Sequence, residues 1–410
     1  MAKSAADIIR AYNAGREPER LALKMAAMRG NMFSFYRGTA HLFWQRVREA
    51  GVAASAPAAW CSGDLHLENF GTYLGDNGLV YFDVNDFDEA ALAPCDYEIL
   101  RFVTSILVAA PVLKIKAAGA KELARVAAES YRTEIALGKA RWIERRTATG
   151  AIGDLMTGLK KRNQARLLDR RTIAKKGRRK LDLRSGRMLP VTPAERDKLE
   201  RFTKAVGKAS ANAAYFGFID AARRIAGTGS LGVARYVLLI EGEGSPDGNV
   251  LLDLKAATPS SLTGVARIKQ PAWRDEAERI VAVQRACQAA APARLQAVTF
   301  DSSPFVLKEM QPTADRLDLA RIARDPATLA DALCTMARLA AWAQLRSAGR
   351  DGSANVDALR AFAADAVQFA PRMLVAARDL AAATAADYKV YCRSFDDATQ
   401  HGKVAKAASE

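Results

Sequence analysis

The sequence predicts an α+β protein in which β-rich stretches are set among longer helical ones. Three observations lead there. Runs of β-branched, aromatic and aliphatic residues cluster at 70–84 and 235–310, while the stretches around them repeat apolar residues at helical spacing. The chain has 410 residues, half of them hydrophobic, enough to bury one large or two ordinary cores without staples.

Taken in order, residues 5–50 read as helices with a break around Gly30 to Ser34, followed by a Gly/Ala/Pro-containing connector at 51–58. Residues 70–74 and 79–84 read as two strands joined by Gly75-Asp76-Asn77-Gly78, residues that accept the left-handed conformations of tight hairpins. Helices are expected from about 95 to 165. The stretch 160–190 contains Gly177, Gly186 and Pro190 and little sustained apolar period, so it reads as a linker or mobile loop. Pro193 opens a helix to roughly 214. Residues 235–240 and 250–255 are β-type runs flanking the turn-rich EGEGSPDGN. Residues 274–289 read as helix, 304–310 as strand, and the alanine-rich remainder as helix to about 385. The expected units are 1–58, N-terminal helices; 59–215, an acid-rich block with helices and the basic linker; 216–315, a β-rich unit; and 316–410, C-terminal helices.

The net charge of +16 would ordinarily point to nucleic acid or an anionic surface, but it is local. Residues 160–187 hold thirteen Lys/Arg against Asp169 and Asp182, a balance of +11 that leaves +5 for everything else. This stretch has no aromatic side chains for base stacking, so nucleic-acid binding there would be sequence-blind and steeply salt-dependent. The five cysteines are dispersed and lack metal-ligand spacing, which suggests a reducing, cytoplasmic setting. The longest apolar stretch, 102–113, is too short to cross a bilayer and follows Arg101 directly, so it reads as a buried helix and no membrane is expected.

The chemistry concentrates in CSGDLHLENFGTYLGDNGLVYFDVNDFDEA. Asp64 and Asn69 have the D-x-x-x-x-N spacing of a kinase catalytic loop, and a hairpin then delivers Asp86-Phe87-Asp88. Phosphoryl transfer needs a carboxylate to take the acceptor hydroxyl's proton, and an amide oxygen and second carboxylate to hold Mg²⁺ on the phosphates. Asp64 is the candidate base; Asn69 and Asp86 are the candidate metal ligands. His66, in the same catalytic loop, is expected to brace the backbone by donating to a carbonyl. Asp83 falls on the opposite strand face from Asp86 and is the weaker candidate.

GTGSLG supplies Gly227, Gly229, Ser230 and Gly232, and the β-type RYVLLI after it suits a kinase phosphate loop better than a dinucleotide fold, which needs a helix there. Lys255 ends the next apolar strand, where a kinase places the lysine that holds the nucleotide phosphates. Its carboxylate partner is open between Glu276 and Glu278, with Gln284 as a neutral substitute. SPFVLKEMQP resembles an adenine-binding strand and hinge, with Glu309 and Met310 beside the nucleotide, and reads equally as an ordinary sheet strand. Arg37 in FYRG suits a phosphate clamp or a structural ion pair, and Asp88 is carried as a substrate or phosphate contact.

The motif order is the reverse of an ordinary kinase, since Asp64 and Asp86 precede Lys255. The segments FSFYRGTAHLF, CSGDLHLENFG, VYFDVNDFDEA, IAGTGSLGVARYVLLIEG, LLDLKAATPSSL and SPFVLKEMQP resemble, in that order, the bacterial family called domain of unknown function 2252, which has kinase-like and aminoglycoside-phosphotransferase-like relatives. The resemblance implies a bilobal protein-kinase-like fold in circularly permuted order, with ATP and Mg²⁺ as cofactors and a small hydroxyl-bearing molecule as acceptor. It also marks departures. Glu98 replaces a family Asp that would tether the catalytic loop, Lys255-Ala256-Ala257 replaces K-E-A, and Gln344 stands where a family His is usual. Those departures motivate a second expectation, a nucleotide-binding protein without transfer activity.

Overall fold

The computed structural model describes residues 3–52, 55–312 and 314–407. It is a mixed α+β structure with a six-stranded antiparallel sheet and a large helical body. Four N-terminal helices come first: α1 (Ala5–Tyr12), α2 (Pro18–Gly30), α3 (Met32–Gly38) and α4 (Ala40–Glu49). Ser4, Glu17 and Asn31 cap the first three by accepting backbone N–H groups. The expected break near Gly30 is the junction of α2 and α3, where Asn31 is extended.

Two short ribbons follow. Strands β1 (Ala58–Cys61) and β4 (Ala91–Pro94) pair antiparallel, and between them β2 (Phe70–Leu74) pairs with β3 (Val80–Val84), close to the expected hairpin. Helix α5 (Cys95–Ala109) is buried along nearly all its length, Arg101 included, and leads into α6 (Ala117–Leu137), α7 (Gly150–Gly158) and α8 (Gln164–Asp169).

The segment expected to be a linker or mobile loop is folded. Besides α8 it contains a hairpin, β5 (Thr172–Lys175) with β6 (Arg178–Leu181), and β7 (Met188–Pro190), which joins the sheet edge. Its few apolar residues explain this: Leu168, Leu181 and Met188 pack with Leu239 and Leu251 of the sheet. Arg179 is buried between Asp169 and Asp247 and donates to the Pro246 carbonyl. Three well-placed anchors and one satisfied arginine replace a sustained period.

Helix α9 (Pro193–Lys208) starts on a Thr192/Glu195 capping box with Pro193 in its first turn, and ends several residues before the expected 214. The sheet continues through β8 (Phe218–Arg224), β9 (Arg235–Ile240) and β10 (Val250–Ala256). After α10 (Thr263–Ala266) and α11 (Glu276–Cys287) it adds β11 (Gln296–Phe300) and β12 (Ser303–Glu309), giving the order β11-β12-β10-β9-β8-β7. One sheet face packs on α9 through Leu238, Leu252, Leu254 and Phe305. Alternation puts Leu251, Asp253 and Lys255 on the other face, and Lys308, opposite Asp253, joins them.

Helices α12 (Leu319–Ile322), α13 (Pro326–Ser347), α14 (Val356–Phe362) and α15 (Phe369–Ala407) complete the chain; α15 runs well past the expected 385. It returns to the N-terminal helices, where Asp387 pairs with Arg46 at 2.7 Å and Asp396 with Arg29 at 2.8 Å. Among the described residues, no helix is long and apolar enough to cross a membrane.

Candidate functional site

Asp64 lies on the loop leaving β1, and that loop is held from every side. Glu98 on α5 accepts from the Ser62 N–H at 2.9 Å and the Gly63 N–H at 3.3 Å, so the longer acid reaches the tethering position. Trp44 donates its indole N–H to the Gly63 carbonyl at 2.8 Å. Gly63 has φ +79°, and a Cβ there would lie 1.8 Å from the Glu89 carbonyl oxygen, so only glycine lets the 62–69 and 85–90 loops close on each other.

Arg101 fixes Asp64 itself. Its Nε donates to Asp64 Oδ1 at 2.8 Å and its Nη2 to the same oxygen, which leaves Oδ2 without a donor among the described residues. The guanidinium has no exposed surface and is enclosed by Tyr36 and Phe43 at 4.3 and 4.7 Å from their ring centroids. Burial pushes the Asp64 carboxyl up to about 7 against the pull of Arg101, and the nearby Glu89 and Asp86 charges act in the same direction as burial. Asn69 is buried and its Nδ2 bridges the Asp64 and Asp86 carbonyls at 3.2 and 3.3 Å, which joins the two loops and leaves Oδ1 as the atom that could meet a cation.

His66 braces the loop, but in the opposite sense to the expectation. Its Nδ1 accepts from the Glu68 N–H at 3.1 Å, which assigns the proton to Nε2. Burial, with Arg37 and Arg101 nearby, holds it well below the usual imidazole range and so neutral. Arg37 pairs with Glu68 at 2.7 Å while its Nε is buried without a partner. Asp83 belongs to the core, paired with Arg346 at 2.8 Å.

Lys255 pairs with Asp88 and lies 4.0 Å from Asp86. Its partner is therefore neither Glu276, which pairs with Arg279, nor Glu278, which accepts from the Arg274 N–H. Helix α11 supports the acids through Arg279 instead, which donates to the carbonyls of Asp88, Ala90 and Thr258. Desolvation would raise the Asp86 carboxyl, but Lys255 and Lys308 hold it below the usual carboxylate range.

The glycine segment is the turn between β8 and β9, with Gly227 and Gly232 at φ +74° and +85°. Its carbonyls are tied to the N-terminal helices: Arg16 donates to Gly229 and Leu231 at 2.8 and 3.1 Å, and Lys24 to Gly229 at 2.8 Å. Ser230 turns its hydroxyl back toward the Ala226 carbonyl at 3.5 Å.

Three cavities meet at Asp86. One of about 70 Å³ lies between Asp64, the Gly227–Ser230 turn and Tyr12, Arg16 and His41 of the N-terminal helices. A second of about 40 Å³ adjoins Lys255, Asp88 and Lys308. A third of about 490 Å³ extends past Gly227 and Gln284 to Glu309, Met310 and Gln311. At that end the Met310 N–H already donates to the Leu251 carbonyl at 2.8 Å, and the Glu309 carboxylate pairs with Arg294 at 3.2 Å. Gln344 is distant in kind: it is buried in the helical core, bonded to Tyr131 and the Cys95 carbonyl.

The structure thus gathers Asp64, Asn69, Asp86, Asp88, Lys255 and the glycine turn around contiguous cavities. Arg101, Tyr12, Arg16, Lys24 and His41 also border the site, and no sequence motif marks them. Tyr12 stacks on His41 at 3.7 Å and donates to Glu89 at 3.0 Å, and among the described residues neither His41 ring nitrogen has a hydrogen-bond partner. The available signal was a charge inside an apolar helix, as at Arg101.

No curated protein and no solved structure matches the chain. Residues 16–394 match the family model described as "Uncharacterized protein conserved in bacteria (DUF2252)", and the chain belongs to that family.

Proposed function

We propose that this chain is an ATP- and Mg²⁺-dependent phosphotransferase of the kinase-like superfamily acting on a small hydroxyl-bearing acceptor. The observation that carries the reading is the meeting of Lys255 with Asp86 and Asp88, across 167 positions of sequence to Asp88, on cavities that also take in Asp64 and the glycine turn. The order of parts, strand, glycine turn, strand, lysine strand and helix, is also that of a kinase nucleotide lobe, which supports a circularly permuted arrangement.

In this reading Asp64 Oδ2 accepts the acceptor's hydroxyl proton, and Arg101 keeps Oδ1 turned away from that task. Lys255 meets the phosphates, and the 227–232 backbone covers them. Among the described residues no group of three or more His, Cys, Asp or Glu side chains is arranged to hold a metal. Magnesium does not need one, because it binds through one or two side chains together with substrate phosphates and water. Asn69 Oδ1 and the half-exposed Asp86 carboxylate fit that role, and the ion would neutralise charge building on the phosphates.

The test is phosphate transfer and ATP hydrolysis by the purified protein with Mg²⁺, compared with Asp64→Asn. Turnover should fall at least about 10²-fold; unchanged turnover removes Asp64 from the chemistry. A nucleotide-binding protein without transfer is the second reading. It is favoured by the glycine turn, which Arg16 and Lys24 draw down until about 70 Å³ remains beside Asp64. Thermal stabilisation by Mg·ATP with no transfer to any acceptor would select it.

A further inference from the structure

The 490 Å³ cavity has a composition that suits a different part of a ligand from the one a hinge ordinarily holds. Nine of its lining residues are Arg or Lys and four are Asp or Glu, a surplus of five positive charges. The acids are engaged already: Asp253 with Arg224 and Arg235, Asp315 with Arg162, Glu309 with Arg294, and Asp86 beside Lys255. Among the described residues, the side chains of Arg171, Arg187 and Lys308 make no hydrogen bond or close ion pair. Arg224 Nε is buried with no hydrogen-bond partner among the described residues. Burial, with Arg187 and Arg170 nearby, lowers the Arg171 pKa, as expected for cations held together without an anion.

The same cavity is poorly made for a purine. The sheet face above it presents Asp253 and Lys308 where an aromatic ring would need apolar cover. Among the described residues Tyr73 is the one aromatic lining residue, and it is engaged with Tyr81 and with the Ala290 carbonyl. The Met310 N–H is spent on Leu251.

We propose that this cavity is a binding site for a polyphosphate chain, closed over by Arg171 and Arg187 of the folded basic segment. A tripolyphosphate carries roughly four negative charges at neutral pH, close to the surplus the lining residues offer. Arginine suits phosphate oxygens through paired N–H donors. The segment 160–190 thereby has a ligand inside the fold, and its charge needs no nucleic acid to account for it.

The chain could belong to a nucleotide or be free polyphosphate, and calorimetric titration separates the two. Inorganic tripolyphosphate, ATP and adenosine are titrated in EDTA into the wild-type protein and into Arg171→Ala/Arg187→Ala. Tripolyphosphate and ATP should bind and compete, adenosine should not, and the double variant should lose roughly tenfold or more for both. Equal affinity of tripolyphosphate and ATP assigns a free chain; ATP tighter by about tenfold or more assigns a nucleotide tail. Absence of tripolyphosphate binding at millimolar concentration, or affinity unchanged in a double variant with wild-type circular dichroism, overturns the site. Should that variant misfold, Lys308→Met carries the same comparison. No metal or acceptor is present, so the result is independent of phosphotransfer: binding without turnover keeps the site, and turnover without this binding removes it.

Discussion

Replacing Asp64 separates its packing against Arg101 from the base role proposed for it. Arg101 is fully buried, and two of its nitrogens donate to Asp64 Oδ1, so Asp64→Ala leaves a guanidinium in the core with its main acceptor gone. Breaking a buried pair from one side costs about 3–5 kcal/mol. Asp64→Asn keeps an oxygen in the same place and forfeits only the charge assistance, about 1–2 kcal/mol. Both variants lack a proton acceptor and should lose turnover equally, by at least about 10²-fold. Removing both charges, Asp64→Asn with Arg101→Met, should recover part of the stability lost in a single Arg101→Met variant, because Asp64 is then no longer a charge without its partner. Urea unfolding followed by circular dichroism reads the stability, and labelled phosphate transfer reads the chemistry. An Asp64→Ala protein as stable as Asp64→Asn would show that Arg101 finds another acceptor and that the pair does not position Asp64. An active Asp64→Asn protein would refute the base assignment.

Other outcomes follow from the same geometry. The Asp64 carboxyl, pushed up to about 7 by burial, can accept a proton only above that value, so kcat/KM should fall about tenfold per pH unit below it and level off above; a flat profile from pH 5.5 to 8 would contradict this, those limits lying about 1–1.5 units either side of the carboxyl's value. Lys255→Met removes the cation shared by Asp86 and Asp88 and should cost about 10²-fold in kcat with the fold intact by circular dichroism; turnover within a factor of two would move the phosphate contact elsewhere. Gly63→Ala requires a Cβ 1.8 Å from the Glu89 oxygen at positive φ and should destabilise by about 2 kcal/mol or more, read as a lowered melting temperature; an unchanged melt would mean that the two loops separate freely.

Parts of the fold are legible because the residues that shape them carry strong local signals. The β2–β3 hairpin announced itself through a Gly-Asp-Asn-Gly turn between alternating runs, and the glycine turn through the β-type residues after it. The rest is written in tertiary terms. Strand β8, FIDAARR, reads as polar, because Arg223 and Arg224 find acids on neighbouring elements that no local window contains. The folded 160–190 segment hid behind its charge, since Arg179 looks solvated until Asp169 and Asp247 converge on it. The kinase pattern points to the following helix for the partner of Lys255, whereas Asp88 supplies it from 167 positions upstream. That helix carries Arg279, which holds the acidic loop by its backbone, a role invisible without the loop in place. Whether His66 donates or accepts is settled only by the Glu68 N–H that meets its Nδ1, because a sequence does not fix an imidazole tautomer.

The distance along the chain between the acids and Lys255 is less of an obstacle than it looks. Closing a loop scales with the logarithm of its length, about (3/2)RT ln n, so bringing groups 167 positions apart together costs only about 2 kcal/mol more than closing a loop of about 20 residues. That difference is comparable to burying one additional leucine or phenylalanine. The sheet and the helical body bury dozens of such side chains for reasons unconnected with the site. Once those cores form, the Asp88–Lys255 pair closes no further loop, because β10 and the 85–90 loop are already positioned by their own neighbours, Lys255 by β9 and β12 and the acids by Arg279, Ser260 and Ser261. The order of motifs along the chain therefore leaves little mark on the energy of the site. What does leave a mark is whether each charge meets its counterpart, and Arg101 with Asp64 and Lys255 with Asp88 are the two meetings on which the cleft is built.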